Sequence, residues 1–231
     1  RANFLTGYAN TIFYTTVGTL INLAVTVPAG YALARSTLPG KKFFMIYFMI
    51  PMYFGGGLIP TYIMYLNLGL YDNFLVYIIP TVINLWYVTL FRTYFRSIPG
   101  ELLEAARIDG AGEFQVFWKI LLPVSKPIVA TITLFSAVAQ WNSYRDTLYY
   151  TVSDNLRTLQ YICMEIIKKA EGSHMIDRAE MFEIFHGNAS TADPLSLRMA
   201  ITVCTVVPIV LVYPFLQKHF MKGMMIGSMK G

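Results

Sequence analysis

A chain of 231 residues that is 55% hydrophobic and 13% charged holds about half the charge of an ordinary soluble domain. Several of its apolar runs approach the roughly 20 residues a helix needs to cross a bilayer, which argues against a soluble enzyme built on one large core. The formal net charge of +5 fits lysines and arginines gathered on one side of a membrane better than a nucleic-acid surface.

The apolar runs predict five spans, at about 11–34, 43–66, 74–95, 124–141 and 199–216. The first is interrupted by Pro28 and stops at Arg35. The second carries Pro51, Gly55-Gly56-Gly57 and Pro60, so a kink or a locally unwound turn is expected there. Inside a membrane such breaks persist only where neighbouring helices or a cavity satisfy the freed backbone groups. Pro80 and Asn84 lie in the third, Pro127 opens the fourth, and Pro208 and Pro214 lie in the fifth. The expected fold class is all-α: a polytopic helical membrane protein, one transmembrane domain over 1–231, with five spans visible of an expected six.

Charge sorts the connections. Arg35, Lys41, Lys42, Arg92, Arg96, Arg107, Lys119, Lys126, Lys218, Lys222 and Lys230 share one set with Glu101, Glu104, Asp109 and Glu113, eleven bases against four acids, net +7. The other set has seven bases against nine acids, net −2. The positive-inside tendency places the first set, and the C-terminus, in the cytoplasm. With five spans the first residue then lies outside, and a further span upstream of Arg1 is expected. No signal peptide is visible. The connection 142–198 falls outside. In it Leu156, Leu159, Cys163, Ile166 and Ile167 follow helical spacing and predict an amphipathic surface helix. Cys163 and Cys204 read as packing residues, with neither a metal site nor a disulfide framework indicated.

The polar stretch 99–121 is the anomaly. Pro99 suits the first turn of a helix, Gly110 suits its left-handed end, and Glu113 and Lys119 suit the two ends of a second helix. Phe114, Phe117, Trp118 and Leu121 recur at i, i+3, i+4 and i+7 and predict one apolar face. Two short helices lying along the cytoplasmic surface are expected, resting on lipid headgroups or docking a soluble partner.

Glu104-Ala105-Ala106, Gly110, Ile120, Leu122 and Pro123 reproduce a motif: Glu-Ala-Ala, three residues, Gly, nine residues, Ile, one residue, Leu-Pro. On these residues the chain resembles the permeases of ABC importers, and with Asp109-Gly110-Ala111 and Pro127 it is similar to the carbohydrate-uptake branch related to the maltose importer. The complex-oligosaccharide subgroup is indicated too by the string GGGLIPTYIMYLNLGLYDN. The resemblance implies a coupling helix seated in a cleft of an ATPase subunit, with Glu104, Ala105, Ala106, Asp109, Gly110, Ala111, Ile120, Leu122 and Pro123 serving the coupling. Ala105-Ala106 is the side expected to enter the cleft, while Phe114, Phe117 and Trp118 hold the element to its own chain. It also implies a second homologous permease, two ATPase subunits carrying ATP-Mg, an extracellular solute-binding protein and a bacterial plasma membrane. The chain itself is expected to bind no cofactor, metal or nucleic acid and to hydrolyse no ATP: Leu38 to Lys42 lacks the glycine and Ser/Thr of a phosphate-binding loop.

A sugar path needs aromatic faces and polar rims. Tyr53, Tyr62, Asn84, Trp86, Tyr87, Gln140, Trp141 and Asn142 are the candidates, against the ordinary roles of interfacial belts and helix packing. His186, Gly187, Asn188, Ala189 and Ser190 are the candidate contact with the binding protein. Two alternatives stay open: an ABC permease for a solute other than sugar, and a secondary carrier, against which the lack of paired intramembrane carboxylates speaks.

Overall fold

The computed structural model describes residues 2–35, 38–172, 199–211 and 214. Among them the regular elements are all helical. The chain opens on α1, Ala2–Ala34, a single helix of 33 residues. At 1.5 Å per residue it is about 50 Å long, more than the roughly 30 Å of hydrocarbon in a bilayer. Pro28 lies inside it, so the expected interruption does not occur. Proline costs the helix one hydrogen bond, and the same turn is braced by Val27 packing on Phe91 and Phe95.

α1 is polar inward and apolar outward. Thr11, Thr19, Asn22 and Thr26 are buried, whereas Leu5, Ile12, Phe13 and Leu20 are exposed. A helix on a soluble protein does the reverse. In lipid the apolar face meets hydrocarbon, and small polar side chains join helix to helix.

Next come α2 (Lys41–Tyr53) and α3 (Leu58–Asn67). They are bent by 114° relative to each other, so the stretch 43–66 is a bent pair and not one straight crossing. Gly57, at φ 80° and ψ −177°, supplies the break in a conformation open to glycine alone. Neither helix has a buried residue. Phe74–Tyr77 and Ile79–Thr81 are short 3-10 turns. α4 (Leu85–Ser97) then begins at Asn84, whose Oδ1 accepts from the backbone N–H groups of Trp86 (3.0 Å) and Tyr87 (3.3 Å). The first part of the predicted third span is therefore tight turns, with Pro80 in the first turn of the second one. Phe74–Ser97 as a whole is still long and apolar enough to cross a membrane.

α5 (Gly100–Ile108) leads to a second helical stretch, Glu113–Val124, which meets α8 (Lys126–Trp141) at 77°. α6 (Glu113–Gln115) and α7 (Leu122–Val124) are the α-helical ends of that stretch. Beyond α8 lie α9 (Arg145–Tyr150), a 3-10 turn at Asp154–Leu156 and α10 (Leu159–Gly172). The apolar helix Met199–Leu211, α11, covers the described part of the fifth predicted span.

α1 is the hub, with α4, α8 and α10 packed around it. α10 differs from the surface helix expected of it. It begins at Leu159, leaving Leu156 in the preceding turn. Leu159 and Cys163 are buried in one cluster with Trp141 and Ile201, against Phe4 and Tyr8 of α1. Gly7 permits the approach: a Cβ there would stand 2.4 Å from Cδ1 of Ile162. Helical spacing reveals an apolar face but not what covers it, and here α1 covers it.

Candidate functional site

The segment 99–124 turns the end of α4 into the start of α8. Pro99 sits just before the first turn of α5. Asp109 closes that helix, and Gly110, at φ 83°, reverses the chain. Gly110 N donates to Arg107 O (3.0 Å) and Ala111 N to Ala106 O (2.9 Å), the paired bonds of a Schellman end. The turn is thus fixed by backbone bonding and by a glycine that can take positive φ.

The second stretch is π-helical over Val116–Leu121. A π turn spaces its bonds at i→i+5, and the buried positions become Val116, Phe117 and Leu121. The stripe predicted at 114, 117, 118 and 121 is therefore split. Phe117 packs on the ring of Tyr31 in α1, centroids 5.3 Å apart. Phe114 and Trp118 are 75% and 50% exposed and lean on each other at 6.0 Å. Of the three aromatics expected to hold the element to its own chain, Phe117 does so and the other two face outward.

Glu113 fastens the element. Its carboxylate accepts from both terminal nitrogens of Arg35, with Nη2–Oε1 at 2.7 Å. It also accepts from the Tyr31 hydroxyl at 3.1 Å and lies 3.4 Å from Nε of Arg107. Arg35 Nη1 in turn donates to the Tyr31 oxygen at 2.6 Å. The end of α1, the last turn of α5 and the start of the second stretch meet on one carboxylate. Arg35 and Glu113 are 78 residues apart, so no local pattern in the sequence announces the contact.

The predicted coupling residues divide by face. Glu104 is exposed and lines a cavity of about 280 Å³ with Arg35, Arg96 and Arg107. Ala105 and Asp109 are exposed, and so is Ile108, at 86%. Ala106 is buried in its own chain. The two alanines thus lie on different faces, and only Ala105 is free to meet a partner. Ala111 and Ile120 are half-buried, Leu122 packs on the core around Phe91 and Phe117, and Pro123 is exposed in the first turn of α7.

A second feature lies where α1, the Ile79–Thr81 turn, α4 and α8 converge. A cavity of about 200 Å³ is lined by Asn22, Thr81, Asn84, Tyr87, Ser136, Gln140, Ser143 and Asp146, among others. Asn22 Nδ2 donates to Thr81 O (2.7 Å), and Gln140 Nε2 donates to Thr81 Oγ1 (2.6 Å). Gly18 lets Gln140 approach α1, since a Cβ there would stand 2.5 Å from its Nε2. Asn22 Oδ1 is buried without a partner. Ser143 Oγ donates to Asp146 Oδ2 at 2.6 Å. Burial nonetheless pushes the Asp146 carboxyl above its ordinary range, with Ser143 and Arg145 opposing the shift.

Three predicted path residues, Asn84, Tyr87 and Gln140, meet in this cavity. The others do not. Trp86 is 58% exposed and Tyr53 75%. Tyr62 stacks on Tyr150 at 6.1 Å and meets Tyr71 edge-on at 5.7 Å. Trp141 is buried, donates Nε1–H to Thr205 O (3.0 Å) and meets Tyr8 edge-on, which is packing between helices. Asn142 is exposed and accepts from Gln160. Sequence reasoning overlooked Asn22, although Thr11, Thr15, Thr19, Asn22 and Thr26 form a polar stripe at helical spacing inside an apolar run. His186, Gly187, Asn188, Ala189 and Ser190 lie outside the described residues. Among the described residues no cluster of His, Cys, Asp and Glu is able to hold a metal ion.

The family described as "Binding-protein-dependent transport system inner membrane component" matches residues 4–226. The polygalacturonan/rhamnogalacturonan transport system permease protein YtcP of Bacillus subtilis (strain 168) is 36% identical over 220 residues, covering 95% of this chain and 75% of the relative. Protein LplC of the same organism is 37% identical over 233 residues, covering 99% and 75%. Among solved structures, a chain from a crystal structure of a bacterial ABC transporter involved in the import of the acidic polysaccharide alginate superposes with a TM-score of 0.81 at 34% identity, covering 95% of this chain and 76% of that one.

Proposed function

Because the chain belongs to the family of binding-protein-dependent transport system inner membrane components, we propose that it is the transmembrane permease of an ATP-driven importer of oligosaccharides. In this reading its partners are a second, similar permease, two ATPase subunits holding ATP-Mg and an extracellular binding protein. The basic end of the bundle and the C-terminus face the cytoplasm of a bacterial cell.

The observation that carries the reading is the fastening of the segment 99–124. One face of it is bound to α1 through Glu113, Arg35 and Phe117. The other, Ala105, Ile108 and Asp109, is exposed. A closing ATPase pair pushing on the exposed face would move α1 as a lever, because the connection is a carboxylate clamp and a packed ring. Switching between two packings needs such stiffness. The 77° bend lays the element across the end of α8, as a docking surface requires.

The polar cavity supports the cargo. Amides, hydroxyls and the Tyr87 ring suit the rims and faces of sugars. A relative named for polygalacturonan/rhamnogalacturonan transport and a solved transporter involved in alginate import support a complex oligosaccharide. The described lining of this cavity has Asp146 and no cation, so it suits the neutral hydroxyls of such a cargo.

The test is uptake into proteoliposomes. With both permeases, the ATPase and the loaded binding protein present, labelled oligosaccharide is expected to accumulate only with ATP. Uptake that continues after the ATPase subunit is left out contradicts the proposal.

A further inference from the structure

At the basic end of the bundle, α2 begins with Lys41-Lys42 and runs beside the end of α4, which carries Arg92 and Arg96. None of these four cations makes an ion pair among the described residues, where the pairs belong to Arg35, Arg107 and Arg157. Lys41 donates to the backbone oxygens of Ala34 (3.3 Å) and Arg35 (2.7 Å), and Arg92 Nε is buried with no partner. Glu104 shares the neighbouring cavity with Arg96 but is not paired with it. Beside them a groove of about 330 Å³ is lined by Arg92, Thr93, Arg96 and Ser97. The Thr93 hydroxyl is spent on Thr89 O and that of Ser97 on Tyr94 O, which leaves the two guanidinium groups as its free donors.

The surroundings say what fills it. Phe43, Phe44 and Tyr47 follow Lys42 directly, 66%, 41% and 61% exposed, with Phe43 and Tyr47 stacked at 6.1 Å. Exposed rings next to cations, at the end of apolar helices, mark the headgroup level of a bilayer. A basic pocket between helices at that level recognises acidic lipid headgroups. Arginine forks suit the paired oxygens of a phosphate.

We propose that Arg92 and Arg96 form a seat for the phosphate of an acidic phospholipid at the end of α4, beside the basic start of α2. The lipid neutralises the like charges gathered at the start of α2, which has no buried residue, and at the end of α4. The seat shares no lining residue with the polar cavity.

Native mass spectrometry of the delipidated, fully assembled complex tests it, by titration with phosphatidylglycerol, phosphatidylcholine or inorganic phosphate. Phosphatidylglycerol is expected to bind in preference to phosphatidylcholine. In Arg92→Gln/Arg96→Gln its affinity should fall about thirtyfold, and inorganic phosphate at matched concentration should not displace it. Equal affinity in wild type and variant overturns the proposal. So does displacement by inorganic phosphate, which makes the site one for a free anion. So does loss of the ATPase subunit from the variant with lipid affinity unchanged, which gives the cations to a protein partner. Where the glutamine pair does not assemble, Arg92→Lys/Arg96→Lys keeps the charge, and it must keep the preference for phosphatidylglycerol.

Discussion

At the basic end of α1, Glu113 gathers Arg35, Tyr31 and Arg107 on a side chain that is 56% exposed. In the N-terminal half of the same helix, Tyr14 stacks on Tyr77 at 4.3 Å, and the buried Tyr77 hydroxyl is shared with Thr147 (2.8 Å) and Thr151 (3.0 Å). Nearby, Asp72 binds the backbone of Val152 and Ser153 and the Ser153 hydroxyl. The first end is held by exposed charge, which water and salt weaken. The other is held at its centre by neutral bonds and stacked rings shielded from solvent, which lose more when a partner is removed, with the Asp72 carboxylate at its edge. The lever end is joined to α1 by a partly exposed carboxylate clamp backed by the Phe117–Tyr31 ring contact, and the opposite end is the shielded frame.

Substitutions sharpen that contrast. Gly30 and Gly7 both bring α1 against a neighbour, but the obstacles differ. A Cβ at Gly30 would stand 2.5 Å from Phe91 Cβ and 3.3 Å from backbone atoms of α4, whereas at Gly7 it meets the tip of Ile162. Gly30→Ala should cost about 3 kcal/mol and Gly7→Ala about 1 kcal/mol, because a side-chain tip can move and a backbone cannot. Thermal unfolding of the purified complex measures both, and equal shifts would remove the distinction. Tyr77→Phe should cost about 2 kcal/mol by stripping a buried hydroxyl network. Glu113→Gln should cost only about 1 kcal/mol, while sugar taken up per ATP hydrolysed falls severalfold. If Glu113→Gln unfolds the protein and Tyr77→Phe does not, the assignment of frame and lever is reversed.

The smallest effects are in pH, through two carboxylates of opposite behaviour. The Ser153 hydroxyl, then the backbone N–H groups of Ser153 and Val152, hold Asp72 below the ordinary carboxylate value. Its contribution is complete above the unfolded value, about 4, and is lost as the pH falls through the lower folded one. Asp146, raised by burial, acts the other way: stability declines as the pH rises from the unfolded value through the folded one. Unfolding temperature followed against pH should show Asp72→Asn flattening the acid limb and Asp146→Asn raising stability at neutral pH. Like-signed changes would contradict the assignment.

Legibility in the sequence followed the range of the interactions. The Gly110 turn, the Pro99 start and the break at Gly57 were readable because each depends on a residue's own backbone. The helical coupling segment and the all-α class were readable from periodicity and apolar length. The faces were not. Trp118 turned outward because a π turn shifts the register, and a 3.6-residue period does not reveal one. Ala106, in the regular helix α5, turned inward, and the Glu-Ala-Ala string by itself does not say which alanine faces the chain's own core. α10 looked like a surface helix because Phe4 and Tyr8, which cover it, lie far away in the chain. The same distance hid the Arg35–Glu113 pair. In the cavity, Asn84, Tyr87 and Gln140 were selected by residue type, yet Trp86 and Trp141 share that type and lie elsewhere.

The central claim is that the coupling segment has a partner face and an anchored face. Single cysteines at Ala105, Ile108, Ala106 and Phe117, each tested for disulfide formation with a cysteine in the ATPase cleft of the assembled complex, address it directly. Ala105→Cys and Ile108→Cys should crosslink, and Ala106→Cys and Phe117→Cys should not. Efficient crosslinking from positions 106 and 117, with none from 105 and 108, would contradict the account.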